Sequence, residues 1–133
     1  ENRPEWIVTQ LASCSDSVCV VPVAVQNQFV NEERITSIIN KTELTTLCVS
    51  KYTIGIIMDL KSKSLIPSLK NIIMFDYPED TQLTLATMVG FELFSFSDLI
   101  NEGMKAFDVT KQEPLFDSIM ILGTTSGTTG EPK

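Results

Sequence analysis

Apolar side chains recur every three or four residues in several segments of the chain, which is the period of an amphipathic helix. The segment after a predicted cap at Ser97 has the clearest pattern, and another helix follows Asn31, whose side chain can cap its first turn. We expect both helices to turn an apolar stripe to the core: Leu99, Ile100, Gly103, Met104 and Phe107 in one, and Ile35, Ile38 and Ile39 in the other.

Three further helices are predicted. Residues 52–60 fit the period of a strand as well as that of a helix, but their Met, Leu and Lys content favours the helix. A short helix is predicted over residues 84–89, after a loop over residues 76–82. The first helix of the chain starts at Arg3 and has an apolar stripe of Ile7, Val8, Leu11 and Ala12.

Short runs of apolar and often β-branched residues predict five strands, of which the first, third and last are expected to be buried. They occupy residues 19–23, 45–49, 72–75, 91–96 and 118–122. Helices and strands alternate, with strands spaced about 20 to 30 residues apart, which is typical of crossover connections in a mainly parallel sheet. The pattern predicts an α/β fold with three layers, α/β/α, forming a single subdomain over residues 1–133.

The composition excludes several classes of function. The 133 residues include 10 Lys and Arg against 17 Asp and Glu, a net charge of −7, so we expect no nucleic-acid partner. With 43% apolar residues the chain is too hydrophobic for a disordered tail. It contains no histidine, which excludes histidine-based catalysis and histidine-ligated zinc within these residues.

The cysteines give an expectation about the compartment. Cys14, Cys19 and Cys48 match no zinc or redox spacing, so we expect reduced structural thiols. Reduced thiols favour a reducing compartment, and the cytoplasm is the expected location. No apolar run approaches the roughly 20 residues that a membrane-spanning helix needs.

Glycine and hydroxyl residues are crowded directly after the last predicted strand. Residues 125–130 comprise three Thr, one Ser and two Gly, and Lys133 follows closely. Glycine allows successive backbone N–H groups to converge, while the hydroxyls add donors and the lysine adds a positive charge, which together suit an anion. Ligands of open α/β sheets also bind at the carboxyl ends of strands. We therefore predict a polyphosphate site, with a solvated turn as the alternative.

This loop differs from two common phosphate-binding motifs. A Walker A loop needs Gly-Lys-Ser/Thr in sequence, whereas Glu131 and Pro132 precede Lys133 here. The glycine spacings are four and three, not the two and three of a dinucleotide fingerprint. A nucleophilic Ser126 would lack a base, because the chain has no histidine.

Two other groups of residues have weaker claims to a function. An acidic cluster near a strand end could hold a cation, but a solvated loop is the favoured interpretation. An aromatic group with strand periodicity could form an acyl-binding surface, but core packing is favoured. The first group is Asp76, Glu79 and Asp80, and the second is Phe91, Phe94 and Phe96.

Residues 125–133 resemble the phosphate-loop signature of the adenylate-forming enzymes, the superfamily of acyl-CoA synthetases, luciferases and nonribosomal peptide adenylation domains. The rest of the chain looks like the long-chain fatty acyl-CoA synthetase branch. Two departures stand out: Thr124 replaces the aromatic residue usual before the signature, and residues 23–28 lack a Leu-Tyr pair and a glycine. The segments similar to that branch are residues 2–6, 20–22, 38–43 and 65–70.

The resemblance implies the N-terminal part of a larger enzyme, ending at its phosphate loop, 125–133. Such an enzyme activates a fatty acid with ATP and Mg²⁺ to an acyl-adenylate and then passes the acyl group to CoA. Lys133 is the implied catalytic residue, since it offsets charge on the departing pyrophosphate. The implied contacts to the nucleotide are made by Thr125, Ser126, Gly127, Thr128, Thr129, Gly130 and Lys133, and no residue is assigned to a metal.

The implied partners are ATP, a fatty acid and CoA, and membrane association would come from segments outside residues 1–133. We expect residues 1–133 alone to be inactive. Two alternatives stay open. One is a self-contained flavodoxin-like module that binds a phosphate-bearing ligand without catalysis. The other is a nonenzymatic interaction domain.

Overall fold

The structure, a computed structural model, describes residues 3–23, 31–106, 110 and 112–123. The chain divides into two compact units, which are described separately. We call Val25–Lys105 the sheet unit, and Glu1–Ala24 with Ala106–Lys133 the terminal unit. The prediction of one subdomain over residues 1–133 stays a prediction.

The described residues of the sheet unit alternate helix and strand. Its strands form one parallel sheet in the order β1-β2-β3, in which Val49 pairs with Met74 and Met74 with Ser95. The predicted α/β class with parallel pairing is confirmed, and so is the helix favoured for residues 52–60. The elements are α2 (Glu32–Lys41), β1 (Thr46–Val49), α3 (Ile54–Ser62), β2 (Asn71–Met74), α4 (Asp80–Val89), β3 (Glu92–Ser95) and α5 (Phe96–Lys105).

The core of the sheet unit lies on one face of this sheet. The crossover helices α3 and α4 contact each other, which places both on the same face of the sheet. On the central strand, Ile72 and Met74 point into the core, with 0% and 1% of their surface exposed. The other fully buried large side chains are Ile38, Ile39, Ile57, Leu60, Ile66 and Leu69. Ile66 and Leu69 belong to the turn before β2, where no periodicity marked them.

The opposite face of the sheet is more open. Alternation along the strands places Cys48, Ile73 and Phe94 in one row on this face. Cys48 and Ile73 are half-buried, and Phe94 is 36% exposed. The apolar run 72–75 predicts a strand covered on both faces, whereas the described residues bury only alternate side chains of β2. The predicted third layer stays a prediction.

Local capping explains where α2 begins and where α4 begins and ends. The Asn31 side chain accepts the Arg34 amide at 2.9 Å, which confirms the predicted cap. The predicted loop over residues 76–82 is wrong at its end, because Glu79 and Gln82 form a reciprocal capping box that starts α4 at Asp80. Gly90 ends α4 with φ of 85°, a left-handed conformation that glycine adopts without a Cβ clash.

Helix α5 differs from its prediction in two respects. It begins at Phe96, and the Ser95 hydroxyl, not that of Ser97, accepts the Asp98 amide at 3.3 Å. The stripe predicted for the core is exposed: α5 buries none of its residues, and Met104 is 78% exposed. The helical period is correct, but nothing among the described residues covers the stripe. Phe107 lies outside the described residues.

The terminal unit is held mainly by backbone hydrogen bonds. Helix α1 (Pro4–Ser15) forms as predicted but buries no residue, and Leu11 is 66% exposed. The strands predicted over residues 19–23 and 118–122 are reduced to one parallel bridge between Val20 and Ile121. Residues 119–122 are exposed rather than buried, because the described residues offer the second run no further strand or helix to cover it.

We expect Ile72→Ala to lower the free energy of unfolding by about 2–5 kcal/mol, because it opens a cavity in the centre of the core. Ile119→Ala removes the same atoms from a side chain that is 63% exposed, and it should change this free energy by less than about 0.5 kcal/mol. Urea unfolding followed by circular dichroism measures both. Equal losses would contradict the assigned core.

The start of α5 gives a second prediction. Ser95→Ala should cost about 1 kcal/mol of stability and increase amide exchange in the first turn of α5, since it removes the cap. Ser97→Ala, two residues later, should leave that exchange unchanged. The opposite ranking of the two variants would restore Ser97 as the cap.

Candidate functional site

The predicted phosphate loop lies outside the described residues. This holds for Thr125, Ser126, Gly127, Thr128, Thr129, Gly130 and Lys133. The structure describes the segment that leads into the loop, residues 112–123 in the terminal unit. We call it the approach segment.

A parallel bridge holds the end of the approach segment. The Val20 amide donates to the Met120 carbonyl at 2.9 Å, and the Leu122 amide donates to the Val20 carbonyl at 2.9 Å. These two bonds flank Ile121, and Gly123 follows at the carboxyl end of the bridge. The sequence predicted two full strands here, and the structure has a bridge between one residue of each. The bridge preserves the direction of the chain into the loop.

The start of the approach segment is held by a side chain. The Asp16 carboxylate accepts the Gln112 backbone amide at 2.7 Å, across 96 residues of sequence. Leu115 and Ser118 then close a turn through two hydrogen bonds, of 2.9 and 3.1 Å. Sequence reasoning missed Asp16, because its only local signal is a carboxylate after a helix end.

The acidic cluster has structural roles. The Asp76 carboxylate accepts the Lys51 amide at 2.8 Å, and Glu79 supplies the cap of α4. Asp80 lies in the first turn of α4, where a carboxylate complements the helix dipole. Across the part of the chain that the structure describes, no three Cys, Asp or Glu side chains come together as a metal-binding group.

The aromatic group is split between the core and the open face. Phe91 is buried, and the Lys61 ammonium lies 5.0 Å from the centre of its ring while donating to the Leu69 carbonyl. Phe96 packs edge-to-face against Phe75, with ring centres 5.7 Å apart. Phe94 lies on the open face. Core packing therefore accounts for Phe91, as the sequence predicted, whereas Phe96 is half-buried beside Phe75.

The shifted pKa and the cysteines among the described residues assign no further residue to the candidate site. The side-chain hydrogen bond that the Lys63 ammonium donates to the Asp59 carboxylate raises the pKa of Lys63 at the end of α3, far along the chain from the loop. None of the three cysteines is disulfide-bonded. Among the described residues, no helix has the length and apolar character needed to cross a membrane.

No family model matches the chain. The chain is 30% identical over 134 residues to "Long-chain-fatty-acid--CoA ligase 5" of Mus musculus, covering 100% of this chain and 19% of that protein. It is 29% identical over 134 residues to "Long-chain-fatty-acid--CoA ligase 1" of Homo sapiens, with the same coverage.

A solved structure with a similar fold is the A domain of a carboxylic acid reductase from Segniliparus rugosus, in complex with AMP and a co-purified carboxylic acid. The match covers 99% of this chain and 22% of that chain, with a TM-score of 0.73 and 16% identity. At this identity the match shows the fold alone.

These comparisons confirm the resemblance to long-chain fatty acyl-CoA synthetases, which extends over the whole chain. They also confirm an α/β fold like that of adenylation domains. The chain spans 19% of the length of the curated relatives it matches.

The assignment of the acidic cluster predicts that Mg²⁺ added without nucleotide will cause no saturable amide shift in residues 76–80. Asp76→Ala should lower the free energy of unfolding by about 1 kcal/mol through loss of its bond to the Lys51 amide. Glu113→Ala, which removes an exposed carboxylate, is the control and should have no measurable effect. Saturable Mg²⁺ shifts that Asp76→Ala abolishes would instead make the cluster a cation site.

Proposed function

The chain is related over its whole length to long-chain-fatty-acid–CoA ligases, and from this relation we propose that it is part of an ATP-dependent ligase of the same kind. The observation that carries the proposal is this whole-length similarity, in a chain that also contains the specific nine-residue signature 125–133. A self-contained flavodoxin-like module is not favoured, since the similar solved structure is an adenylation domain.

In the proposed reaction, a carboxylate oxygen of the fatty acid attacks the α-phosphorus of ATP. The bond from that phosphorus to the bridging oxygen breaks, and pyrophosphate leaves. The CoA thiol, losing its proton, then attacks the acyl carbon, and AMP departs as the thioester forms. In the first step, negative charge accumulates on the departing pyrophosphate and has to be stabilised.

The donor set of residues 125–133 fits this demand. It offers backbone N–H groups at two glycines and the hydroxyls of Thr125, Ser126, Thr128 and Thr129. Lys133 provides a positive charge that offsets the negative charge of the phosphates. The net charge of the chain as a whole is −7. Mg²⁺ commonly binds through phosphate oxygens and waters together with one or two carboxylates. We assign the β- and γ-phosphates of ATP to this loop and Mg²⁺ to the phosphate oxygens.

We further propose a cytoplasmic location, supported by three cysteines that carry no disulfide. Any contact with a membrane is assigned to segments other than residues 1–133. Residues 1–133 alone are proposed to be inactive, because the groups that hold adenine, ribose and the acid are assigned to other segments. Formation of acyl-adenylate by residues 1–133 alone would contradict this.

Lys133→Ala tests the proposal in the protein at its native length. We expect a fall of at least about 100-fold in fatty-acid-dependent ATP–pyrophosphate exchange, since a charge aimed at the leaving group is lost. Lys133→Arg should retain part of the activity, because it keeps the positive charge.

Glu131→Gln is the matched control. It changes a charge two residues away from Lys133, on a side chain that we assign to solvent, and it should leave exchange unchanged. Exchange that survives Lys133→Ala undiminished would contradict the role of Lys133 in the proposed function.

A further inference from the structure

We propose that Asp16 is a positioning residue for the phosphate loop and acts through the Gln112 amide and the approach segment. The inference rests on the proposed function, because it concerns the placement of residues 125–133 for ATP. Its structural basis lies within the described residues of the terminal unit.

Local hydrogen bonds fix the turn that ends α1. The Asp16 and Val18 amides both donate to the Ser13 carbonyl, at 3.1 and 2.8 Å. Between them, Ser17 has φ of 56°, a left-handed conformation that few non-glycine residues adopt. These features fix the backbone that carries the Asp16 carboxylate and direct the chain toward Val20.

The same turn holds both ends of the approach segment. Asp16 binds Gln112 at its start, and Val20 binds Met120 and Leu122 near its end. The turn that Ser118 closes lies between these attachments. The five residues after the end of α1, 16–20, therefore hold a segment of a dozen residues at two points, directly before the predicted loop.

The two attachments of the approach segment differ in the kind of hydrogen bond. The Val20 bonds are backbone bonds in a bridge of one residue, and the segment buries little apolar surface, so few other contacts restrain it. The bond to Gln112 has a carboxylate acceptor and is short, which makes it stronger than a bond between neutral groups. A small displacement of groups that contact a substrate can lower catalysis strongly. Loss of the Asp16 bond should therefore weaken ATP binding more than it weakens the fold.

The test compares Asp16→Ala and Asp16→Asn in the protein at its native length. Asp16→Ala removes the acceptor, whereas the amide oxygen of Asp16→Asn can still accept the Gln112 N–H. Glu113→Ala removes an exposed carboxylate beside Gln112 for which the described residues show no hydrogen bond, and it is the matched control. Asp16 is itself exposed, so neither variant creates a cavity.

We expect Asp16→Ala to raise KM for ATP about threefold or more, with little change in KM for the fatty acid and a fall in melting temperature no larger than that of Asp76→Ala. Hydrogen exchange at the Gln112 amide should accelerate in the same variant. Asp16→Asn should change KM for ATP and the exchange rate of the Gln112 amide much less than Asp16→Ala does. Glu113→Ala should behave as the unsubstituted protein.

An unchanged KM for ATP in Asp16→Ala would overturn the positioning role, and so would equal defects in the Ala and Asn variants. If Lys133→Ala still abolishes ATP–pyrophosphate exchange in the same assay, the proposed function stands without the role of Asp16. If Lys133→Ala has no effect, the proposed role of the loop fails, and the positioning role fails with it.

Discussion

Burial of the central strand is the constraint on which the sheet unit depends. Parallel strands cannot be joined by tight turns, so each pair needs a crossover, and α3 and α4 supply the two crossovers. Both cover the face on which Ile72 and Met74 lie, and the buried residues of α2 and α3 complete the same core. The polar groups at the margins follow from this arrangement: Asp76 accepts an amide from the β1–α3 connection, and Ser95 caps the helix that follows β3.

The terminal unit is organised by a different interaction. It buries little apolar surface, and its described residues are joined by the Asp16 carboxylate and by two backbone bonds of Val20. Such contacts define the direction and position of the chain more than they contribute to the free energy of unfolding. For a segment that leads into the proposed phosphate loop, position is the property that the proposed catalysis needs, because donors stabilise a leaving group only when they are correctly placed.

Features decided by neighbouring residues could be predicted from the sequence. The Asn31 cap, the buried stripe of α2 and the run that forms β2 each depend on a few adjacent positions. Whether Ser95 or Ser97 caps α5 could not be predicted in this way. Both are serines, and only the register of β3 decides which hydroxyl meets the Asp98 amide. The exposed stripe of α5 has the correct period, but a period cannot show whether a partner covers it.

The candidate site also combines a feature that depends on adjacent residues with one that depends on distant residues. Its chemistry stays a prediction: hydroxyls, glycines and Lys133 form a local signature in the sequence, and their placement lies outside the described residues. The attachment of the approach segment could not be predicted, because Asp16 and Gln112 are 96 residues apart and neither has a distinctive motif.

The central claim is that residues 125–133 bind the phosphates of ATP. Amide chemical shifts of residues 123–133 during an ATP titration test it most directly, in the protein at its native length with residues 1–133 isotopically labelled. The account predicts saturable shifts in this segment that pyrophosphate reproduces. Unchanged shifts in residues 123–133, under conditions where the same protein activates a fatty acid with ATP, would contradict it.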